Sequence, residues 1–459
     1  MAAIPQPFLF SWEQVDTASD LDRLRLVLGA LPDESLVRFL EERRGRGRDD
    51  YPVRPMWNAV IAGVVFQHES CALLVRELWR NGELRQMCGF DPLKGTRAMP
   101  SQDAMERFLK LIVEHRERLT QVFHQLVDEL ALELPDLGRR LAVDSKAVPS
   151  AGRPVRDEEK QKETDGRRDR DANWGTKTYK GTRQDGTSWE KVKKWFGYKL
   201  HLVVDSVYEL PLAFEVTKAS AGDPDHLLPL VEDLREHHEH VHQRADELTG
   251  DKGYDSLGNY CGLQDDHDIK PVIDTRNLWK DPAQRTLFED RCDVFSFDES
   301  GRVYCTCPSE RRGEDERREL AFVGLEKDRK NLKYRCPAAF YGSECPGRTE
   351  CEKLSPGHGG AYGRVVRVPL DRDRRIFTAV ARHTPKWRSA YARRSAVERV
   401  NSRIDRVLGF EKHFIRGQAK MEMRVTLGLV VILAMALGRI RANQAELMRS
   451  LTAPVRRIG

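Results

Sequence analysis

The stretch from Leu141 to Val148 (LAVDSKAV) is a short apolar run that contains a single carboxylate, Asp144. A proline and a glycine follow it closely, so the run predicts a buried strand. A buried carboxylate is unfavourable unless it is paired, hydrogen-bonded or bound to a metal ion. The fold must therefore supply Asp144 with a partner, which in the simplest case is Lys146 or another base at the edge of the sheet.

Strands and helices alternate after this run. Residues 195–205 (WFGYKLHLVVD) and 210–217 (LPLAFEVT) predict two strands joined by a short turn, and a helical stretch opens at Asp223. Residues 247–251 and 269–273 predict two more short strands with a helix between them. This order indicates a mixed sheet covered by helices, and hence an α+β fold.

The rest of the chain divides into segments that differ in apolar periodicity and composition. Residues 1–135 carry apolar residues at helical spacing, for example after the start signal at Pro100–Ser101. The outer face of these helices is either solvated or turned towards DNA phosphates, because arginines fall between the apolar positions. Residues 277–370, rich in charged residues, glycine and cysteine, predict an insertion, and a helical pattern returns in residues 371–448.

Composition argues against several classes of protein. The amino terminus shows no secretory-signal pattern, and the longest apolar run, Val425–Leu437, has 13 residues where roughly 20 are needed to span a bilayer. That run predicts a buried core helix instead. Nine cysteines in 459 residues do not indicate a disulfide framework, so we expect a reducing cytoplasm. A net charge of +5 does not by itself indicate nucleic-acid binding.

Two further carboxylates, Asp251 and Glu398, are candidates for metal binding. Asp251 follows the end of a predicted strand, and Glu398 lies on a predicted helix. If Asp144, Asp251 and Glu398 converge, their oxygens would bind a hard divalent cation, and two such ions about 3.5–4 Å apart would serve phosphodiester chemistry. Each residue also has an ordinary structural role open to it, Asp251 as a helix cap and Glu398 as an exposed helix carboxylate.

Tyr391, Arg394 and Glu398 are spaced by three and then four residues, which on one helix would place them on the same face. Beside a DNA strand, the arginine would hold a phosphate, the tyrosine would stack on a base and the glutamate would bind metal. The same spacing also describes an ordinary salt-bridged helix surface.

Four segments of the chain resemble the DDE transposases of bacterial insertion sequences, which have a helical amino-terminal domain ahead of a ribonuclease H-like catalytic domain. They are LAVDSKAV at 141–148, the stretch 197–231, GDKGYDS at 250–256 and YARRSAVERVNSRIDRVLGF at 391–410, and residues 51–90 resemble the family's helical module. The resemblance implies that Asp144, Asp251 and Glu398, separated by 107 and 147 residues, are the catalytic and metal-binding triad.

The resemblance also implies an activity. Two Mg²⁺ ions, with Mn²⁺ as an alternative, would support cleavage at transposon ends and transfer of the freed 3′-hydroxyl into target DNA. The partners would be the terminal inverted repeats, target DNA and a second copy of the chain, with no membrane, in the cytoplasm at the nucleoid. Alternatives are a nuclease of the same fold without strand transfer and a non-catalytic DNA-binding relic. The implied DNA contacts are Lys199, Lys252, Tyr391, Arg394 and Arg403.

The resemblance divides the chain into four parts. Residues 1–135 would be a helical domain that binds the DNA ends, and residues 136–276 and 371–448 would be the two parts of the ribonuclease H-like core. Residues 277–370 would be the insertion, and residues 156–171, with 13 of 16 positions charged, predict a mobile loop.

Two features stand outside the family pattern. The family's lysine, seven residues after Glu398, corresponds here to Asp405, with Arg403 or Arg406 as a substitute source of positive charge. The insertion could bind zinc, with His358 as a substitute ligand, but its irregular cysteine spacing leaves unliganded reduced thiols as the alternative. The candidate zinc ligands are Cys305, Cys307, Cys336, Cys345 and Cys351.

Overall fold

Helices make up the first part of the described chain. The computed structural model describes residues 20–44, 51–155, 167–183, 185–276, 279, 285–288, 295–307, 316–345, 347–349, 351 and 361–455. The first helices are α1 (Asp20–Ala30), α2 (Glu34–Arg44), α3 (Val53–Val65), α4 (Cys71–Arg80), α5 (Gly82–Cys88), α6 (Gln102–Glu114) and α7 (Arg116–Glu133).

Side-chain caps determine where several of these helices begin. The Ser101 hydroxyl accepts a hydrogen bond from the backbone N–H of Ala104 at 3.2 Å, so α6 begins at the predicted start signal. Ser70 caps α4 in the same way. The apolar stripe that continues from α6 is divided at His115, where the backbone leaves the helical region before α7 begins.

The central sheet has the mixed character predicted from the order of elements. Its strands are β1 (Arg140–Pro149), β2 (Asn173–Thr182), β3 (Ser188–Asp205), β4 (Pro211–Lys218), β5 (Glu247–Gly250) and β6 (Lys270–Ile273). β1 pairs antiparallel with β3 and parallel with β5, β5 pairs parallel with β6, and β4 pairs with β3. The connecting helices are α8 (Leu227–His237), α9 (Glu239–His242) and α10 (Leu257–Cys261). The predicted α+β class is confirmed.

β2 and the first part of β3 form a two-stranded ribbon, which we define as residues 176–182 and 188–194. Residues 188–194 are exposed, and within the described chain they pair only with β2. The sequence predicted a strand only from Trp195, where β3 becomes buried. The ribbon was missed because its composition is polar and lacks the alternation of a half-buried strand.

The described part of the insertion contains two small antiparallel sheets and short helical segments. They are β7 (Arg285–Thr286), β8 (Phe295–Phe297), β9 (Val303–Cys307) and β10 (Glu316–Glu319), then β11 (Ala321–Glu326), β12 (Asn331–Arg335) and β13 (Val365–Pro369), with α11 (Pro337–Tyr341). Phe297, Tyr334 and Phe377 belong to an apolar cluster separate from the main core. The few apolar residues of this charge-rich segment therefore form a small second core together with residues that follow it, such as Phe377.

Two helices after the insertion pack against four adjacent strands of the central sheet, β3, β1, β5 and β6. α12 (Pro385–Ala392) packs against β5 and β6, and α13 (Ser395–Arg406) packs against β1 and β3. A turn at Arg393 and Arg394 separates them. Tyr391 and Glu398 therefore lie on two successive helices, which corrects the expectation that one helix carries both.

The last long helix, α14 (Gln418–Arg441), lies inside the main hydrophobic core. It packs against α1, α3, α7 and β4. The apolar side chains of Val425–Leu437 are at most 4% exposed, which confirms the predicted core helix. By length and composition α14 is the one helix of the described chain that could cross a membrane, but 89% of its most apolar window is buried inside the protein.

Candidate active site

Two of the three candidate acids lie next to each other, Asp144 on β1 and Asp251 directly after the end of β5. In the parallel pair of β1 and β5, Ala142 is opposite Thr249. If this register is continued by two residues, one residue past the end of β5, Asp144 is opposite Asp251, and the charge of Asp251 does act on Asp144. Adjacent strands lie about 4.8 Å apart. The Asp251 carboxylate also accepts a hydrogen bond from the backbone N–H of Gly253 at 2.7 Å, so it acts as a helix cap as well.

The charge of Asp144 is disfavoured by its surroundings. Burial raises the pKa of Asp144, the negative charge of Asp251 raises it further, and the pKa reaches about 6. Lys177, Arg394 and the backbone N–H of Ser145 lower the pKa but do not offset these effects. A cation between the two carboxylates would relieve the repulsion that remains.

Tyr254 indicates that a third carboxylate lies at the same place. Its buried hydroxyl has a pKa well above the ordinary value because of burial and then the charges of Asp223, Asp144 and Asp251. A Cβ atom built on Gly253 would lie 2.6 Å from an Asp251 oxygen and 3.1 Å from an Asp223 oxygen. Any side chain at position 253 would therefore have to displace the Asp251 carboxylate and press on that of Asp223.

Asp223 was not predicted as a site residue. It begins a short 3₁₀ helix before α8, and its sequence setting indicated only a helix start. Burial raises the pKa of Asp223, but the hydrogen bond and charge of Lys199 bring it below its ordinary value. Lys199, a predicted DNA contact, holds Asp223 at 2.8 Å. The pairing is visible only once β3 and the turn before α8 are placed in space.

Glu398, the third predicted acid, is more exposed than the other two. Its side chain is 52% exposed in the first turn of α13, and one of its oxygens lies 2.7 Å from the guanidinium of Arg394. Arg394 also interacts with the charge of Asp144, so this arginine lies between the carboxylate pair and Glu398. Among the described residues, the triad does not form a group whose ligand atoms all lie within 4.8 Å of one another.

The aromatic residue of the predicted signature packs in a stack. The rings of Tyr391 and Trp387 are parallel within 9°, with centroids 4.8 Å apart. The guanidinium of Arg394 lies 5.8 Å from the centre of the Tyr391 ring. Burial, followed by the charge of Asp274, raises the pKa of Tyr391, so the phenol remains protonated at neutral pH.

Asp405, at the position that carries lysine in the family pattern, forms an ion pair in which the lysine comes from strand β1. Lys146 contacts Asp405 at 2.5 Å, with side chains 15% and 21% exposed. Successive residues of a strand point to opposite faces, so Lys146 points to the same side of β1 as Asp144. The positive charge expected on the helix is therefore present here on the strand. Lys146 pairs with Asp405 rather than with Asp144.

The two remaining predicted DNA contacts differ in their surroundings. Lys252, next to Asp251, is 59% exposed and lies 3.4 Å from Asp274. Arg403 is held by Glu209 at 2.6 Å and by a backbone carbonyl, in a cluster with Arg399 and Arg449. The described contacts do not bring Arg403 to the carboxylate pair.

The predicted zinc ligands do not assemble among the described residues. Cys305, Cys336, Cys345 and Cys351 are half-buried, and no group of three potential ligands with close atoms includes any of them. The Cys307 side chain and His358 lie outside the described residues. Zinc in the insertion stays a prediction.

One family of known proteins matches the chain over most of its length. The model of the family described as Transposase DDE domain matches residues 136–434, which include β1, β5, α13 and all three predicted acids. Neither a curated protein nor a solved structure matches the chain. The matched segment covers the mixed sheet and the helices that carry the candidate site, and the ribonuclease H-like fold agrees with it. The chain therefore belongs to the transposase DDE domain family.

Proposed function

We propose that this transposase cuts DNA at transposon ends in a Mg²⁺-dependent reaction and transfers the freed 3′-hydroxyl into target DNA. The main support is the pair of Asp144 and Asp251, whose mutual repulsion, together with burial, raises the pKa of Asp144 to about 6. A protein gains nothing in stability from such a pair, so the pair is better explained by a bound cation.

The residues around the pair fit divalent metal ions. Asp144, Asp251 and Glu398 supply only oxygen ligands, which suit Mg²⁺, and would also accept Mn²⁺. When bound, two such ions would activate the attacking oxygen and stabilise the leaving oxygen of an in-line phosphoryl displacement. Asp223, close to Asp251, would add negative charge at the same place and is held in position by Lys199.

Arg394 connects the metal ligands to DNA in this proposal. Its guanidinium neutralises Glu398 at 2.7 Å in the absence of other partners. A phosphate group of DNA would offer the guanidinium a second, bidentate partner. Arg394 would then release a Glu398 oxygen for metal, so that DNA binding and completion of the triad occur together. The stacked Trp387 and Tyr391 would offer a flat surface for an unpaired base next to the cut.

The ribbon and the groove at its base would carry the DNA backbone. The groove has a volume of about 450 Å³. Its lining includes four lysines, Lys146, Lys177, Lys193 and Lys199. A two-stranded β-ribbon fits the major groove of DNA, and lysines neutralise phosphates. Trp189 within the ribbon and Trp174 at its base are exposed and are suited to stacking or sugar contacts.

We also propose that the protein acts as a homodimer at the nucleoid. Two transposon ends must be brought together for a paired reaction, which two copies of one site would accomplish. The helices before β1 would recognise the terminal repeats, while the residues from 136 onward would cut and join. Lys252 remains a proposed DNA contact because it is exposed beside Asp251. Arg403 is a weaker candidate because Glu209 already pairs with it.

A strand-transfer assay tests the function. Labelled DNA that carries the element's terminal repeat is incubated with the full chain and an unlabelled plasmid, with Mg²⁺, with Mn²⁺ or with chelator. We expect cleavage and joining in both metals, and a loss of at least about 100-fold in Asp144→Asn, Asp251→Asn and Glu398→Gln. Asp371→Asn, an exposed aspartate outside the site, is the matched control and should keep full activity.

The outcomes separate the alternatives. Cleavage without joining would identify a nuclease of the same fold. DNA binding without either reaction would identify a non-catalytic protein. Activity that persists in Asp144→Asn would overturn the assignment of the metal ligands.

A further inference from the structure

A histidine-rich segment lies away from the candidate active site. The sequence EHHEHVH at residues 236–242 contains four of the chain's 13 histidines. It covers the end of α8 and the short helix α9, and it faces α7 from the first part of the chain. Short histidine-rich tracts are a compositional sign of metal binding.

Three side chains from two helices gather at this contact. His124 on α7 and Asp233 and His237 on α8 each place one ligand atom within 4.8 Å of the other two. The rings of His124 and His237 are parallel within 3°, with centroids 4.1 Å apart. Nδ1 of His237 lies 3.2 Å from an Asp233 carboxylate oxygen and donates a hydrogen bond to the Asp233 backbone carbonyl at 3.1 Å, so Nε2 of His237 carries the lone pair that a metal ion would take.

A hydrogen-bonded relay orients His124 for ligation. Nδ1 of His238 lies 2.6 Å from the Asp128 carboxylate, so this nitrogen carries the proton and donates it. Nε2 of His238 is then an acceptor, and it receives a hydrogen bond from Nδ1 of His124 at 2.9 Å. Nε2 of His124 is left with a lone pair. Carboxylate-to-histidine relays of this kind fix the tautomer of metal-binding histidines.

We infer that His124, Asp233 and His237 form a zinc site that joins α7 to α8, with Asp128 and His238 as supporting residues. Two imidazole nitrogens and one carboxylate oxygen suit Zn²⁺ better than Mg²⁺, which prefers oxygen ligands and octahedral geometry. Water would complete the tetrahedron. The ligand atoms already lie within 4.8 Å of one another, and a rotation of the exposed His237 ring out of its stack with His124 would direct both imidazoles at one ion.

The role of the site would be structural. α7 belongs to the helices that precede the sheet, whereas α8 covers the sheet itself, so the ion would fasten the two parts of the chain to each other. A ligand that binds only the folded state raises its stability in proportion to the logarithm of its concentration. Zinc should therefore raise the melting temperature even though the site is separate from the Mg²⁺-binding acids.

Zinc binding to the full chain tests this site. Metal-free protein is titrated with Zn²⁺ in the wild type, His124→Gln, His237→Gln and Asp233→Asn. His240→Gln is the matched control, because His240 belongs to the same segment and is as exposed as His237, both side chains at 45%. We expect affinity to fall by about 100-fold or more in the three ligand variants and by less than about threefold in the control.

Co²⁺ spectra and thermal melting distinguish this site from binding to the cysteines of the insertion. Co²⁺ at this site should give only weak visible bands, whereas binding to the cysteines would add a strong thiolate charge-transfer band. Zn²⁺ should raise the melting temperature of the wild type and of His240→Gln, but not of Asp233→Asn, which is nearly isosteric and keeps the fold. Equal zinc affinity in the wild type and the ligand variants, or a thiolate band that accounts for all bound Co²⁺, would overturn the inference.

Discussion

Asp144 shows how a residue that is unfavourable for the fold can be explained by a proposed function, here the binding of a metal ion. Its carboxyl group lies on a buried strand next to Asp251, and the pKa of about 6 measures the cost of ionising it there. Since one pKa unit corresponds to about 1.4 kcal/mol, this cost is of the order of 3 kcal/mol. The cost is present at neutral pH, where the group must be ionised to bind metal.

Replacing Asp144 by asparagine should stabilise the metal-free protein. Because the folded-state pKa is raised, the wild type loses stability as pH rises from about 4 to 6 and keeps that deficit above pH 6. Urea unfolding in chelator should therefore give Asp144→Asn a gain of roughly 1–3 kcal/mol at pH 7.5 and almost none at pH 4. Asp371→Asn should show no such pH-dependent gain. A variant less stable than the wild type at pH 7.5 would contradict the proposed repulsion.

The ion pair of Lys146 and Asp405 connects a strand to a helix. It fastens α13, which carries Glu398, onto β1, which carries Asp144. Removing one member leaves the other poorly solvated, so Lys146→Ala should cost roughly 1–3 kcal/mol, less than the loss of a fully buried pair. The swap Lys146→Asp with Asp405→Lys should recover most of this stability in urea unfolding. Full stability in Lys146→Ala would mean that the pair contributes nothing to holding the helix.

Two glycines test how closely α1 and α14 pack. A Cβ atom on Gly438 of α14 would lie 2.9 Å from the backbone oxygen of Leu26 in α1, so Gly438→Ala should force the helices apart and cost roughly 1–3 kcal/mol. A Cβ atom on Gly29, in α1, would have no atom within 4 Å, so Gly29→Ala should stabilise the protein by about 0.5–1 kcal/mol. Thermal unfolding of both variants measures the difference, and equal effects would argue against this close approach.

At the scale of the whole molecule, the net positive charge is small but positive side chains are concentrated on one surface. The net charge of +5 is small, yet lysines line the ribbon and the groove beside the acids. Replacing Lys191, Lys193 and Lys194 by alanine should weaken DNA binding at low salt and reduce the salt dependence of log Kd by about 1–3, because fewer counterions are released.

A control with the same loss of charge makes this test specific. Alanine at Lys327, Lys330 and Lys420, which are exposed on the turn between β11 and β12 and on α14, removes the same net charge away from the ribbon. The salt dependence of this control should stay close to that of the wild type. If both triple variants lose affinity equally, the ribbon is no preferred DNA surface.

Much of the fold was predictable because its signals are local. The apolar run around Asp144, the cap at Ser101 and the apolar run in α14 each predict their own element. β2 and the pairing of Asp223 with Lys199 were not predictable, because a polar strand and a contact between distant segments leave no periodic signal. The break at Arg393 and Arg394 was hidden by spacing that a continuous helix would satisfy equally well.

The position of α14 limits how this protein can be divided. Helices from the start of the chain and strand β4 of the sheet both pack against this apolar helix. A shortened polypeptide that began at residue 136 would expose the apolar side of α14 that the first helices cover. We therefore expect it to aggregate and not to fold as an independent catalytic domain. The end binding proposed for the helices and the cleavage proposed for the sheet would then take place on one rigid body, so neither part could rotate on the DNA without the other.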